Sequence, residues 1–274
     1  METRRITLFG IPFDTVSESQ ALLKLHYYSQ LPLGEQKICL TPNPEMVVAA
    51  ATEKTFYDIL RRSDFSVADG TGVLWASGFL PLSTLDFALL GQKPLKLKNL
   101  FSGLFSLLKF AFARNSFARE IKTRVTGTDL LAHFLATSQA KIFLLGGAAG
   151  AAKNLAANFP HIVGFYDSVV TLENSAEICA LINSSQAEVL FVGLGSPKQE
   201  FWIAENLKQC PNIRFAMGVG GAFDFLSGVQ KRAPSWLRSI GLEWLYRLIK
   251  EPHRFSRIWN ATVKFFLLTV REKG

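Results

Sequence analysis

Lys141-Ile-Phe-Leu-Leu-Gly-Gly-Ala-Ala-Gly150 and Glu188-Val-Leu-Phe-Val-Gly-Leu-Gly195 are short apolar runs that each end in a glycine-bearing loop. With Ile162 to Tyr166 and Ile213 to Val219 they form four strand-like segments. Helical patterns separate them near Ala149 to Phe159, Thr171 to Ile182 and Pro197 to Gln209. Apolar runs alternating with amphipathic ones predict a parallel, Rossmann-like α/β sheet covered by helices on both faces. Gly146, Gly147 and Gly195 leave room for a phosphate or sugar near helix N-termini, which attract anions. Neither loop completes the three-glycine dinucleotide fingerprint and no Walker A lysine motif occurs, which argues against a nicotinamide enzyme.

Toward the N-terminus, Thr7 to Phe13 reads as an opening strand broken at Pro12, and Ser17 to Gln30 as a helix capped by Ser17. A second strand, Lys37 to Leu40, ends in Thr41-Pro42-Asn43-Pro44, with Pro44 set to begin a helix over Glu45 to Arg62. A third, Phe65 to Ala68, delivers Asp69 and Gly70 ahead of a helical run from Thr71 to Phe79. Ligands of α/β folds bind at the carboxyl ends of strands. Asp69 there is either a general base or the N-cap of the next helix. Thr41 and Asn43 are either its neighbours in a site or plain turn residues. If the two strands pair, all three residues come together.

The chain has 274 residues, 49% of them apolar, enough for a sizeable core. Three scattered cysteines suit buried reduced thiols rather than a disulfide framework, and the four histidines form no ligand motif, so neither metal nor cofactor is expected. No secretory h-region follows Met1 to Arg5, and Lys or Arg interrupts every long apolar run. The net charge of +8 is concentrated in two places. Gly91 to Arg124 carries eight Lys or Arg against Glu120 alone, and Lys231 to Gly274 carries ten against Glu243, Glu251 and Glu272.

Both basic segments are rich in Phe, Leu or Trp, which favours an anionic membrane surface or phosphate-bearing ligands over nucleic acid. In the first, Leu100, Phe101, Leu104, Phe105, Leu108, Ala111 and Phe112 follow helical spacing inside a fringe of Lys96, Lys98, Lys109, Arg114 and Arg119. That helix either packs on the core or meets a membrane. Domains are expected at 1–230, with a basic insert at about 91–123, and at 231–274.

Five motifs together resemble the bacterial WecG/TagA/CpsF glycosyltransferases over most of Leu8 to Ile258: Thr41-Pro42-Asn43, Ala68-Asp69-Gly70, Val125-Thr126-Gly127, Gly195-Ser196-Pro197-Lys198-Gln199-Glu200, and Arg232-Ala233-Pro234 followed by Gly241-Leu242-Glu243-Trp244. The resemblance implies inverting transfer of N-acetylmannosamine, its uronic acid or a related hexose. The donor would be a UDP-sugar and the acceptor a polyprenyl-diphosphate-linked sugar, at the cytoplasmic face of the cell membrane. It carries over Asp69 as base, Thr41 and Asn43 beside it, Arg124 and Gln199 at the donor, and Arg247, Arg254 and Arg257 as candidates for the diphosphate. No Asp-x-Asp pair is present to hold a metal under the leaving group, so arginines and helix N-termini are the available positive groups. The segment between Trp75 and Arg124 is longer than the family pattern. A non-catalytic nucleotide- or lipid-binding membrane module is the alternative, and a homo-oligomer is compatible with either reading.

Overall fold

The computed structural model describes residues 3–80, 93–118, 120–239 and 241–273. The chain opens with a hairpin rather than one strand: β1 (Arg5–Leu8) and β2 (Ile11–Asp14) pair antiparallel. Phe9 and Gly10 make the turn in the left-handed region, at φ 56° and 74°. Asp14 ties the hairpin to the body, accepting from Arg5 Nε at 3.1 Å and from the Ser66 N–H at 2.9 Å.

Helix α1 (Glu18–Ser29) starts at Ser17, in a capping box with Gln20. After β3 (Lys37–Leu40) the expected single helix is two, α2 (Pro44–Ala50) and α3 (Lys54–Arg61). Strand β4 (Phe65–Ser66) leads into α4 (Thr71–Phe79); α5 (Leu97–Phe112), a short α6 (Arg114–Phe117) and α7 (Gly127–Thr137) follow. The second half alternates as its sequence predicts: β5 (Ile142–Gly146), α8 (Ala151–Asn158), β6 (Ile162–Tyr166), α9 (Ser175–Ser184), β7 (Val189–Gly193), α10 (Lys198–Asn206) and β8 (Phe215–Gly218).

Six strands form one parallel sheet in the order β4-β3-β8-β7-β5-β6. The alternation of side chains along a strand explains its two covered faces. Val189 and Phe191 point into a core shared with α1, α7 and α8, whereas Leu190 and Val192 join the core of α9 and α10. All three cysteines are buried and unbridged.

The C-terminal helices are α11 (Ala222–Leu226), α12 (Ser235–Ser239), α13 (Glu243–Lys250), α14 (Phe255–Trp259) and α15 (Phe265–Glu272), the last two joined by a π-helical turn at Asn260–Lys264. The end of this segment is built into the body. Phe265, Leu268 and Val270 are buried in one core with Leu8, Phe13, Val47 and Trp75, and the Phe265 ring lies 5.5 Å from that of Phe9. Helix α5 packs on α15 and α4 through a stripe of Asn99, Gly103, Ser106 and Phe110. Ser106 Oγ accepts from Trp75 Nε1 at 2.9 Å. A Cβ on Gly103 would stand 2.6 Å from Val270, so the helices approach through that missing side chain. Among the described residues no helix is long and apolar enough to cross a membrane.

Candidate active site

Strands β3 and β4 are neighbours, with Cys39 opposite Phe65 and Leu40 opposite Ser66, so the chain ends that follow them meet. The Asp69 N–H donates to Pro42 O at 3.1 Å, and the Val125 N–H to Ala68 O at 3.1 Å. These bonds bring three motifs from distant parts of the sequence to one wall. The wall closes a cleft of about 520 Å³ whose lining includes Asn43, Asp69, Arg124, Arg247, Arg254 and Arg257.

Asp69 does not cap α4. The N-cap is Gly70, at φ 126°, which has no side chain to satisfy the helix's first amides. Gly70, Thr71 and Gly72 line the cleft instead, so the positive end of α4 faces it. Gly70 can hardly be another residue, because a Cβ there would lie 2.8 Å from Pro44. Helix α7 begins at the same place, with Thr126 accepting from the Asp129 N–H at 3.1 Å and the Gly127 N–H donating to the Asp69 carboxylate. Two helix N-termini and a set of guanidiniums therefore surround one carboxylate.

Burial pushes the Asp69 carboxyl up to about 6; Arg124, Arg247 and the Gly127 N–H oppose that rise, while Glu243 adds to it. At neutral pH the group is ionised yet basic enough to take a proton, the balance a general base needs.

The guanidiniums differ in how they are held. Glu243 is shared by three: Arg124 at 3.4 Å, Arg247 at 3.7 Å and Arg232 at 3.8 Å. Arg232 is anchored more firmly by Asp129, Arg254 pairs with Glu251, and Arg257 makes a two-point contact with Glu45 at 2.8 and 3.0 Å. Arg124 and Arg247 share one carboxylate at long range, Arg247 also stacks its guanidinium 4.8 Å from the centre of the Phe225 ring, and both act electrostatically on Asp69. They are the cations with most donor capacity left for a ligand. The lining carries a polar half of this kind and an apolar half made by Trp75, Leu107, Phe265 and Phe266.

The remaining sequence candidates lie elsewhere. Asn43 lines the cleft, but its side-chain oxygen caps α2 by accepting from the Met46 N–H at 3.0 Å. Thr41 is buried behind the wall, donating to Gly218 O at 3.4 Å and packing toward Gly127. Gly146, Gly147, Gly195 and Gln199 do not line this cleft; they lie farther along the same sheet edge. Gly146 and Gly147 adopt φ 95° and 91°, and a Cβ would meet Leu194 at 2.7 Å or Phe223 at 3.0 Å, so packing already requires glycine at both. Gln199 is buried, donating to Glu200 Oε1 at 2.7 Å and accepting from the Gly220 N–H at 3.0 Å, which fixes the β8 loop. Gly195, at φ 75°, stands in open space. Arg119 and the side chains of Arg114 and Arg238 lie outside the described residues.

Sequence reasoning passed over Glu243, Glu45 and Arg232 as site residues. The first and last stand inside the Gly241-to-Trp244 and Arg232-to-Pro234 motifs, and their signal is charge: an acid and a base within short Gly- and Pro-marked segments. Among the described residues no group of three or more His, Cys, Asp or Glu has the arrangement of a metal site.

A sequence profile of the glycosyl transferase WecG/TagA/CpsF family matches residues 6–86 and 109–274. The chain is 27% identical over 278 residues to N-acetylglucosaminyldiphosphoundecaprenol N-acetyl-beta-D-mannosaminyltransferase of Bacillus subtilis (strain 168), covering 97% of this chain and 91% of that one. A protein of the same name from Staphylococcus aureus (strain MRSA252) is 26% identical over 269 residues, covering 95% and 91%. Residues 87–108, which hold most of α5, fall between the two matched segments.

Proposed function

Because the chain belongs to the WecG/TagA/CpsF family of glycosyltransferases, we propose that it transfers N-acetylmannosamine or a closely related hexose, with inversion. The donor is a UDP-sugar and the acceptor a polyprenyl-diphosphate-linked sugar. The observation that carries this reading is Asp69: a carboxylate raised to about 6, on the wall of a cleft that also presents two helix N-termini and partly engaged arginines.

Asp69 takes the proton of the acceptor hydroxyl as its oxygen attacks the anomeric carbon from the face opposite the nucleotide. The bond from that carbon to the β-phosphate oxygen breaks, and its electron pair leaves with UDP. Arg124 and Arg247 are placed to receive that charge, since each can exchange its distant share of Glu243 for a phosphate oxygen. Thr41 and Asn43 act as supports, Thr41 tying the end of β3 to Gly218 O at the end of β8 and Asn43 starting α2 on the same wall as Asp69. A hydroxyl deprotonated in this way gains roughly 10²–10⁴-fold in rate. The enzyme works peripherally on the cytoplasmic face of the cell membrane, where a lipid-linked acceptor is displayed.

The test is UDP release from a panel of UDP-sugars, with and without a GlcNAc-diphosphate-lipid acceptor. Release that requires the acceptor is the expected result. Tight UDP binding with no release from any donor and acceptor pair would overturn the reading.

A further inference from the structure

Helix α5 is built inside out. Its buried stripe is made largely of small or polar residues, Asn99, Gly103 and Ser106, while Leu97, Phe101, Leu104, Phe105, Leu108 and Phe112 recur at helical spacing on the exposed side. Phe101 is 63% exposed and Phe112 is 90% exposed. A helix that packs on a core normally does the reverse. The small stripe is a built contact, since Gly103 sits against Val270 and Phe266 and Asn99 Nδ2 donates to Val270 O at 3.4 Å.

We propose that this face lies in the plane of an anionic lipid leaflet, and that the neighbouring Leu107 edge opens the apolar half of the cleft to the hydrocarbon chain of a lipid-linked acceptor. The second clause rests on the glycosyltransferase reading; the first stands without it.

Length and charge both select the leaflet. Sixteen helical residues reach only about 24 Å, short of a bilayer's hydrocarbon core, so α5 suits lying in the interface rather than crossing it. Residues 93–118 contain five Lys or Arg and no Asp or Glu. Lys96, Lys98 and Lys109 are exposed, the last with its ammonium 4.6 Å from the centre of the Phe105 ring, as expected of a chain reaching from an apolar bed to headgroups. In a two-fold pairing of α5 faces those lysines would meet the equally basic fringe of the second copy, with no carboxylate of the segment between them. Leu107 lines the cleft beside Trp75 and Phe266, so the exposed face and the apolar half of the cleft are continuous. On the C-terminal side, α14 contributes Ile258 to the same lining and exposes Phe255 and Trp259.

The experiment compares the full chain with Phe101→Ser/Phe105→Ser/Phe112→Ser, all exposed and away from the cleft lining, in co-sedimentation with phosphatidylglycerol/phosphatidylethanolamine vesicles and with phosphatidylcholine vesicles. The variant is expected to bind anionic vesicles about tenfold or more weakly. Lys96→Gln/Lys98→Gln/Lys109→Gln should flatten the salt dependence of binding. Phe105→Cys carrying an environment-sensitive fluorophore should shift to the blue on vesicle addition, and labelling is selective because Cys39, Cys179 and Cys210 are buried. UDP release with a short water-soluble acceptor should be unchanged in the serine variant, while release with a polyprenyl acceptor in vesicles falls. Unaltered vesicle binding in the serine variant would overturn the proposal, as would a wild-type dimer that this variant converts to monomer without loss of vesicle binding. If vesicle binding falls as expected but no acceptor supports UDP release, the docking face stands and the transferase reading fails.

Discussion

Asp69→Asn separates what this carboxylate does for turnover from what it costs the fold. The carboxyl moves from its ordinary 3.8 to about 6 in the folded protein, chiefly through burial. The folded state therefore binds this proton more tightly than the unfolded chain does. The associated stability is present in full below about pH 4 and is lost as the pH rises through 6. Each tenfold gain in proton affinity is worth about 1.4 kcal/mol, so ionised Asp69 costs the fold about 3 kcal/mol above pH 7. Asparagine keeps the shape, can still accept from the Gly127 N–H, and carries no charge to desolvate. The variant should be about 3 kcal/mol more stable than the wild type at pH 8 and only about half as much ahead at pH 5, while UDP release is abolished and UDP binding survives. Urea denaturation of both proteins at the two pH values measures the gap. A variant less stable at pH 8, or a gap that does not change with pH, would refute the electrostatic reasoning, and wild-type turnover in the variant would remove Asp69 as the base.

For the wild type, kcat/KM should fall about tenfold per pH unit below 6, since only ionised Asp69 takes a proton; a flat profile down to pH 5 counts against it. Glu243→Gln removes a charge that raises the Asp69 carboxyl, so the acid limb should move to lower pH, and loss of the shared partner of three guanidiniums should cost about 1–3 kcal/mol in thermal denaturation. Gly103→Val presses a side chain into Val270 and should destabilise the protein by about 1–3 kcal/mol; an unchanged melting temperature would show that α5 does not pack there. UDP release should survive EDTA, and strict dependence on added Mg²⁺ or Mn²⁺ would overturn that expectation.

The parallel sheet was legible because its central strands β5, β7 and β8 are buried on both faces and read as continuous apolar runs between glycine loops. The meeting of Asn43 with Asp69 was legible because sequential strands pair. Other features are fixed by contacts that no local pattern carries. The hairpin turn depends on Phe9 taking a left-handed conformation, which a bulky residue seldom does. The break between α2 and α3 has neither Gly nor Pro to mark it. Glycine in the β5 and β7 loops reads as room for a ligand, but sequence does not show that Phe223 packs beside Gly147 and Gly193 while Gly195 stays open. The C-terminal arginines were legible as a group: Arg247, Arg254 and Arg257, proposed for the diphosphate, line the cleft together with Arg232. The carboxylates that hold them, Glu243, Glu251, Glu45 and Asp129, were not, because each pairing joins a different stretch of chain or turn of helix. Composition can show that a helix has two unlike faces, but only packing decides which one turns inward, and α5 takes the less expected choice.

The contact between Phe9 and Phe265 has a consequence for the order in which the protein is made. The hairpin at residues 5–14 and the helix at 265–272 share one core, yet some 250 residues separate them. At about 5–20 residues per second, the ribosome delivers the second partner tens of seconds after the first. Throughout that interval Phe9 lacks the Phe265 ring that packs against it. The cleft also lacks Arg247, Arg254, Phe265 and Phe266, so a nascent chain holding Asp69 already in position has no site in which to use it. Completion of the core and completion of the cleft are one event, and a chain stopped short of Phe265 forfeits both.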